Sequence, residues 1–468
     1  RFDLPISDED VESYSYYKPD ENSAEVQYLK EKRAALGGFV PQRREKFSNK
    51  LEIPALSEFE SIIAGSGDRE ISTTMAFVRV LNALLKDKQI GKNIVPIVPD
   101  EARTFGMEGM FRQFGIYSSA GQKYIPQDKD QVAFYKEDIK GQVLQEGINE
   151  LGAMSSWIAA ATSYSVNNYP MIPFYIFYSM FGFQRTGDLC WAAGDQKARG
   201  FLVGGTSGRT TLNGEGLQHE DGHSHILANT IPNCITYDPT YGYEVAVIVQ
   251  NGIQRMYGEN QEDIFYYITT LNENYAQPAM PENAQEGIIK GIYKVKTFEA
   301  KNDYKVKLLG SGSIFQEAMK AAEILSKEYD IKVEIYSVTS YNELTREAQD
   351  LERENLLNLD TTAKTPYIEK VLGSDTDSII ISATDYMKAY SEQLKPYIKG
   401  NFKALGTDGF GRSDSRANLR KFFEVDTNFI VYTTLAQLAL NGKIDKKVAL
   451  EAKNKYEIDA NKINPRNA

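Results

Sequence analysis

The sequence predicts an α/β protein in which two three-layer α/β domains with mostly parallel sheets follow a linker arm. Short apolar runs alternate with amphipathic helical stretches along most of the chain, as expected when helices cover the faces of a parallel sheet. Some of these runs are apolar at nearly every position, which is typical of strands buried on both faces. The 468 residues, 42% hydrophobic and 25% charged, supply enough apolar surface for more than one core.

The first 65 residues differ in composition from the rest of the chain. They are charged and interrupted by prolines, as in LPISDEDVE and KPDENSAE, with one helical stretch near 22–35. This composition favours an extended arm at residues 1–65 over a packed core.

A first domain is predicted at residues 66–290. Its helices are indicated by apolar residues at helical spacing in STTMAFVRVLNALLKDK and NELGAMSSWIAAATSY, with Asn149 suited to cap the second, and a further helix is expected at 185–199. Its strands are, in chain order, NIVPIV, MIPFYIFY, GFLVGG, NCITYDP and YYITT.

A second α/β domain is predicted at residues 291–468. KVKLLGSGS indicates a strand and turn, IFQEAMKAAEILSKEY an amphipathic helix, and KVEIYSVTS the next strand. Later strands are expected in SIIISAT and FKALGTDG, and closing helices in VYTTLAQLALNG and KKVALEAKNKY.

Charge and cysteine content exclude several functional classes. With 53 Lys and Arg against 64 Asp and Glu, the net charge of −11 argues against a nucleic-acid binder. The longest apolar stretch, at 171–183, is too short to span a bilayer, so no membrane partner is expected. Cys190 and Cys234 lie in apolar stretches and are expected to be reduced thiols of a cytoplasmic protein.

Polar and aromatic residues follow the strands of the first domain. Asp100 and Glu101 come after NIVPIV, Tyr178 and Phe181 lie at the end of MIPFYIFY, and Glu150 stands in the first turn of a helix. Because ligands of open parallel sheets bind outside the carboxyl ends of the strands, these residues predict a shared crevice. The alternative is that they are ordinary polar residues at strand ends.

The long loop after GFLVGG contains all three histidines of the chain, His219, His223 and His225. HEDGH, at 219–223, fits the H-E-x-x-H pattern of zinc proteases, which requires both imidazoles on one helix face. The inner Asp-Gly and the preceding Asn-Gly-Glu-Gly disfavour a helix, so no metal site is predicted here. A ligand-binding role is favoured over turn and capping hydrogen bonds alone.

Long motifs then point to a family. DEARTFGMEGMFRQFGIYS, LQEGINELGA, YIFYSMFGFQRTGDLCWAAGDQKARGFLVGGTSGRTTLNGEGLQHEDGHSH, YYITTLNENY and GTDGFGRSDSR closely resemble the homodimeric pyruvate dehydrogenase decarboxylating component of bacteria. The resemblance covers nearly the whole chain but only the second half of that family's polypeptide. It implies transketolase-like pyrimidine-binding and C-terminal domains.

The resemblance implies thiamine-diphosphate-dependent decarboxylation of pyruvate and reductive acetylation of lipoyl groups. It also implies Mg²⁺, which the family binds through a G-D-G…N motif that this sequence lacks. The metal ligands are therefore expected in an N-terminal half outside this chain. We expect this chain to be inactive without that half. The implied partners are a second copy or an N-terminal half-chain, and the dihydrolipoyl acetyltransferase core. A non-catalytic dimerisation and docking module is the alternative.

The resemblance also assigns cofactor contacts. Glu150 matches the glutamate that hydrogen-bonds N1′ of the aminopyrimidine, Ile148 the apolar wedge that bends the cofactor, and Phe181 the ring that stacks on the pyrimidine. Asp100 and Glu101 match acids that line the same site. Alternatively, Ile148 and Phe181 belong to the core, Asp100 caps the next segment, and Glu150 only stabilises a helix N-terminus.

Three further residues are assigned to catalysis by the same resemblance. Tyr178 matches a hydrogen-bonding neighbour of the cofactor, and His219 and Glu215 match residues near the substrate. His219 is expected to assist proton transfer and acetyl delivery.

Overall fold

The computed structural model describes residues 5–38, 44–99, 102–127, 135–213 and 216–468. Its contacts divide the chain into two compact units, residues 1–46 and 47–468. In the first unit, Ser7 and Ser23 accept hydrogen bonds that begin helices α1 (Asp8–Glu12) and α2 (Ala24–Ala35). The second of these is the helix predicted near 22–35.

The larger unit contains the remaining elements of the described chain. Its strands are β1 (Glu70–Ile71), β2 (Ile94–Val98), β3 (Ile116–Tyr117), β4 (Glu137–Asp138), β5 (Leu144–Gln145), β6 (Ile172–Tyr178), β7 (Phe201–Gly205), β8 (Cys234–Tyr237), β9 (Phe265–Thr269), β10 (Tyr275–Ala276), β11 (Ile292–Phe298), β12 (Asn302–Gly310), β13 (Ile331–Val338), β14 (Ile379–Ala383) and β15 (Asn401–Leu405). Its helices are α3 (Glu60–Ile63), α4 (Thr73–Lys86), α5 (Glu108–Phe114), α6 (Glu150–Ala161), α7 (Ser163–Asn167), α8 (Gly182–Asp195), α9 (Ser224–Asn229), α10 (Gly242–Tyr257), α11 (Ala284–Lys290), α12 (Ile314–Tyr329), α13 (Tyr341–Leu357), α14 (Tyr367–Leu372), α15 (Ala389–Glu392), α16 (Arg416–Phe423), α17 (Thr427–Leu440) and α18 (Lys446–Lys455).

A six-stranded sheet has the order β5-β2-β6-β7-β9-β8, and all of its pairings are parallel. Its central strands are in register with Phe174 beside Phe201 and Phe201 beside Tyr266. All of the strands' carboxyl ends therefore lie along one edge of the sheet.

Strand β6 shows why its sequence is apolar throughout. Phe174 and Ile176 pack in one hydrophobic core, whereas the alternate residues Tyr175 and Phe177 pack in a second core on the other face. Helices α4 and α10 contribute to the first core and helices α6, α8 and α9 to the second, which makes three layers.

A five-stranded mixed sheet has the order β11-β13-β12-β14-β15, with β11 antiparallel to β13 and the other pairings parallel. Helices α12 and α17 pack on one face through residues such as Ala318 and Leu435, and α13 packs on the other through Leu344. The predicted α/β fold with mostly parallel sheets is therefore confirmed, while division of the larger unit at residue 290 stays a prediction.

Two boundaries differ from the pattern expected from sequence. The helix predicted at 185–199 runs from Gly182 to Asp195, and the chain beyond it turns at Lys197, which has a left-handed φ of 59°. Within the predicted arm, Phe47 and Phe59 are buried in the core of the larger unit. Across the described ranges, no helix combines the length and the apolar character needed to cross a bilayer.

Candidate active site

A cavity of about 300 Å³ opens at the carboxyl ends of the neighbouring strands β5, β2 and β6. Its position agrees with the rule that ligands bind at this edge of a parallel sheet. The lining residues are Pro99, Ile148, Glu150, Phe177, Tyr178, Phe181, Arg185, Gln218 and His219.

Glu150 reaches the cavity from the first turn of α6. Asn149 begins this helix by accepting a hydrogen bond from the Gly152 N–H at 3.0 Å, as the sequence predicted. The Glu150 side chain is only 13% exposed, and within the described residues its Oε2 atom carries no hydrogen bond. Burial and the nearby Glu150 carboxylate raise the pKa of Tyr175, which lies beneath it.

Arg185 is the countercharge of Glu150. Its Nη1 atom donates to Glu150 Oε1 at 2.7 Å, and its guanidinium carbon lies 4.1 Å from the centroid of the Phe181 ring. The Arg185 side chain is half exposed and lies at the mouth of the cavity. There its guanidinium joins the Glu150 carboxylate, on α6, to the Phe181 ring, which precedes α8. This contact fixes the orientation of the carboxylate.

Three aromatic rings form one side of the cavity. The His219 ring meets Tyr178 edge-on at a centroid distance of 5.2 Å and Phe181 at 4.9 Å. Tyr178 and Phe181 contact each other at 6.2 Å. Such edge-to-face contacts are worth about 0.5–1.5 kcal/mol each, so the rings orient one another.

The tautomer of His219 follows from its hydrogen bond. The Nδ1 atom lies 3.3 Å from the carbonyl oxygen of Gly216, and a carbonyl oxygen can only accept. The neutral ring therefore carries its proton on Nδ1 and has Nε2 as its acceptor.

The structure brings together five of the eight residues predicted for the site: Glu150, Ile148, Tyr178, Phe181 and His219. Ile148 is 70% exposed, which excludes the alternative that it belongs to the core. The other three, Asp100, Glu101 and Glu215, lie outside the described residues.

Sequence reasoning missed four lining residues: Pro99, Phe177, Arg185 and Gln218. The i, i+4 spacing of Phe181 and Arg185 across the start of α8 was a usable signal for Arg185. The spacing could not reveal the ion pair of Arg185, because Glu150 lies 35 residues earlier in the chain.

The helix that the zinc-protease pattern requires is absent from the HEDGH segment. His219 ends a single 3₁₀ turn, residues 220–223 are not helical, and His223 Nδ1 lies 3.4 Å from the Arg209 guanidinium. Among the described residues, no group of three or more His, Cys, Asp or Glu side chains is arranged to hold a metal ion.

A buried polar layer lies between the two sheets. His225 stacks on Tyr390 and hydrogen-bonds Thr269 through Nε2 at 2.8 Å, and burial lowers the pKa of His225 to about 3. Burial also raises the pKa of Asp238 to about 7, although Thr269 donates to one of its oxygens at 2.8 Å. These groups are structural neighbours of the site and do not line the cavity.

Comparisons with known proteins agree with this architecture. The family of the pyruvate dehydrogenase E1 component middle domain matches residues 51–278, and the transketolase-like C-terminal domain matches residues 291–426. Transketolases from Leishmania mexicana and Campylobacter jejuni share the fold at TM-scores of 0.60 and 0.58, with 16% identity each, over 82% and 81% of this chain and 48% and 49% of theirs.

Curated relatives are much more similar in sequence. The pyruvate dehydrogenase E1 component of Escherichia coli K12 is 60% identical over 467 residues, and that of Pseudomonas aeruginosa is 60% identical over 466. These alignments cover 100% and 99% of this chain and 52% of each relative, so the chain spans about half their length. The chain belongs to the pyruvate dehydrogenase E1 component family, and it corresponds to the C-terminal part of the family's longer polypeptide.

Proposed function

We propose that this chain carries the pyrimidine-binding half of the active site of a pyruvate dehydrogenase E1 component. The observation that supports the proposal is the convergence of Glu150, Phe181 and His219 on one cavity of about 300 Å³. The reaction proposed is decarboxylation of pyruvate, followed by transfer of the acetyl group to a lipoyl disulfide, which is reduced as the two-carbon fragment is oxidised.

The cavity fits the aminopyrimidine ring of thiamine diphosphate. The ring is flat and aromatic and carries polar nitrogens on its edge, and the cavity offers apolar walls from Ile148 and Phe181 with a carboxylate at one side. Glu150 Oε2, which carries no hydrogen bond within the described chain, can bind the ring edge while Oε1 keeps its contact with Arg185. When bound, the cofactor supplies the nucleophilic carbon and the electron sink for loss of CO₂.

The chain's own residues have separate tasks in this proposal. Glu150 holds or moves a proton at a ring nitrogen of the pyrimidine, and Arg185 keeps its carboxylate oriented. The Nε2 atom of His219 exchanges a proton with the substrate, and Tyr178 positions that ring by its edge contact. Asp100, Glu101 and Glu215 are proposed to complete the site.

The diphosphate and Mg²⁺ are proposed to bind to the N-terminal part of the family's polypeptide. The described residues provide no cluster of metal-binding side chains, and thiamine diphosphate needs one for its charged tail. We propose that the assembled enzyme is a homodimer or a complex with an N-terminal half-chain. It is proposed to act in the cytoplasm on a dihydrolipoyl acetyltransferase core.

Release of CO₂ from pyruvate tests this proposal. The chain alone, supplied with thiamine diphosphate and Mg²⁺, is expected to show negligible release. The same chain joined to the N-terminal half of its relatives is expected to be active. Full activity of the chain alone, or none in the joined protein, would contradict the division of the site.

A further inference from the structure

Glu220, the residue after His219, has a buried carboxylate that the proposed reaction does not use. The residue is 1% exposed, and its Oε2 atom accepts a hydrogen bond from the Arg412 backbone N–H at 2.6 Å. Its Oε1 atom is buried without a partner among the described residues, and burial raises the pKa of Glu220 to about 7. A buried carboxyl group is costly, so its retention beside the cavity calls for a role.

The backbone that faces Glu220 approaches very closely. A Cβ atom at Gly411 would lie 2.5 Å from the carbonyl oxygen of Leu217 and 2.9 Å from Glu220 Oε2. Only glycine allows the loop after β15 to pack against the turn that carries His219.

The buried side chain of Arg209 contacts both the turn that carries His219 and the loop after β15. Its buried guanidinium donates to the carbonyl oxygens of Thr407, at 2.7 Å, and of Gly409, and Nε lies 3.4 Å from the carbonyl oxygen of Glu220. We call the contact between residues 217–220 and 407–412 the histidine clamp. The clamp ties a loop of the second sheet to the cavity at the edge of the first.

The turn that presents His219 has little stability of its own. It is a 3₁₀ helix of three residues, Leu217–His219, and such turns depend on their surroundings. The ring of His219 is held in the cavity by two edge contacts and by one long hydrogen bond to Gly216. The clamp is the additional restraint on its backbone.

We propose that Glu220 is a positioning residue that fixes the His219 ring in the cavity by binding the Arg412 N–H. The proposed consequence for turnover rests on the proposed function, because it assumes that His219 exchanges a proton with substrate. The geometric part does not rest on it. The proposal thus gives Glu220 of the HEDGH segment a role that needs no metal ion.

The experiment compares the NMR spectra of Glu220→Ala, Glu220→Gln and Gly411→Ala with that of the unsubstituted chain, each containing ¹³C-labelled histidine. With only three histidines, the His219 ring resonance is assigned by its loss in His219→Gln. Glu220→Ala and Gly411→Ala are expected to shift or broaden this resonance. Glu220→Gln is expected to show the His219 resonance at its wild-type position, because the amide oxygen still accepts the Arg412 N–H.

Glu244→Ala is the matched control. Glu244 is equally buried and accepts N–H groups of Thr240 and Tyr241 at 2.5 and 3.3 Å, but it caps α10 and does not contact the clamp. It is expected to lower the melting temperature while leaving the His219 resonance unchanged. If Glu220→Ala does not fold, Gly411→Ala tests the same contact from the other side.

In the protein of full family length, Glu220→Ala is expected to lower kcat for pyruvate at least tenfold, with KM changed less than threefold. Wild-type resonance and kcat in Glu220→Ala would overturn the proposal, as would failure of Glu220→Gln to restore either. If the wild-type full-length protein releases no CO₂, the proposed function fails, but the resonance still decides the positioning role.

Discussion

Replacement of Arg185 by methionine tests whether an ion pair orients the proposed catalytic carboxylate. Methionine keeps much of the packing on Phe181 but removes the donor to Glu150, which lies 2.7 Å away. The Arg185 side chain is 49% exposed and that of Glu150 13%, so water screens the pair considerably. A coupling energy of about 0.5–1 kcal/mol is therefore expected.

The two tryptophans of the chain make this coupling measurable. Trp157 lies on α6, which begins with Glu150, and Trp191 on α8, which contains Arg185. In a Trp191→Phe background, urea unfolding followed by fluorescence of the buried Trp157 reports on this layer. A double-mutant cycle with Arg185→Met and Glu150→Gln then isolates the interaction free energy.

The ion pair of Arg255 with Glu262 is the control. Its atoms are 2.6 Å apart and its side chains are 30% and 34% exposed. Glu262 precedes β9 and therefore lies at the amino ends of the strands, opposite the cavity. Exchange of Arg255 is expected to affect stability but not the turnover of the full-length protein. Arg185→Met is expected to affect both. A coupling energy below about 0.2 kcal/mol, or unchanged turnover in Arg185→Met, would refute the positioning role.

Three further predictions follow from groups around the site. Asp238→Asn should flatten the pH dependence of stability between pH 4 and 7, measured by thermal unfolding. In that range folded Asp238 (pKa about 7) keeps a proton that the unfolded chain has lost, so stability falls by about 1.4 kcal/mol per pH unit as pH rises; an unchanged profile would contradict this. Gly182→Ala should lower stability by about 1–3 kcal/mol in urea unfolding, because its Cβ would lie 2.1 Å from the Phe177 ring; a neutral effect would show that the ring yields freely. Elemental analysis of the purified chain should find no stoichiometric zinc, because the HEDGH segment is not helical; one zinc per chain would overturn that interpretation.

Much of the fold was predictable because local signals agreed with each other. Asn149 predicts the start of α6, and the uninterrupted apolar sequence of β6 predicts a strand buried on both faces. Glu150 then follows as a residue at the cavity, since a helix start and a strand end meet at one edge of a parallel sheet.

The remaining features depend on contacts distant in sequence. Arg185 pairs with a residue 35 positions earlier, and Glu220 binds a backbone group 192 positions later. The exposure of Ile148 and the burial of His225 among tyrosines depend equally on tertiary packing. Periodicity and turn chemistry are local properties, so they carry no information on such pairs.

The turnover of Glu150→Gln in the protein of full family length, measured with its affinity for thiamine diphosphate, tests most directly whether Glu150 acts on the bound cofactor. CO₂ release from pyruvate is expected to fall by at least about 100-fold, the typical loss for a general acid–base group. Affinity should change less than tenfold, because the apolar walls of the cavity and the proposed diphosphate site are unchanged. Turnover within about threefold of wild type, with the cofactor bound, would contradict the assignment of Glu150 and of the cavity.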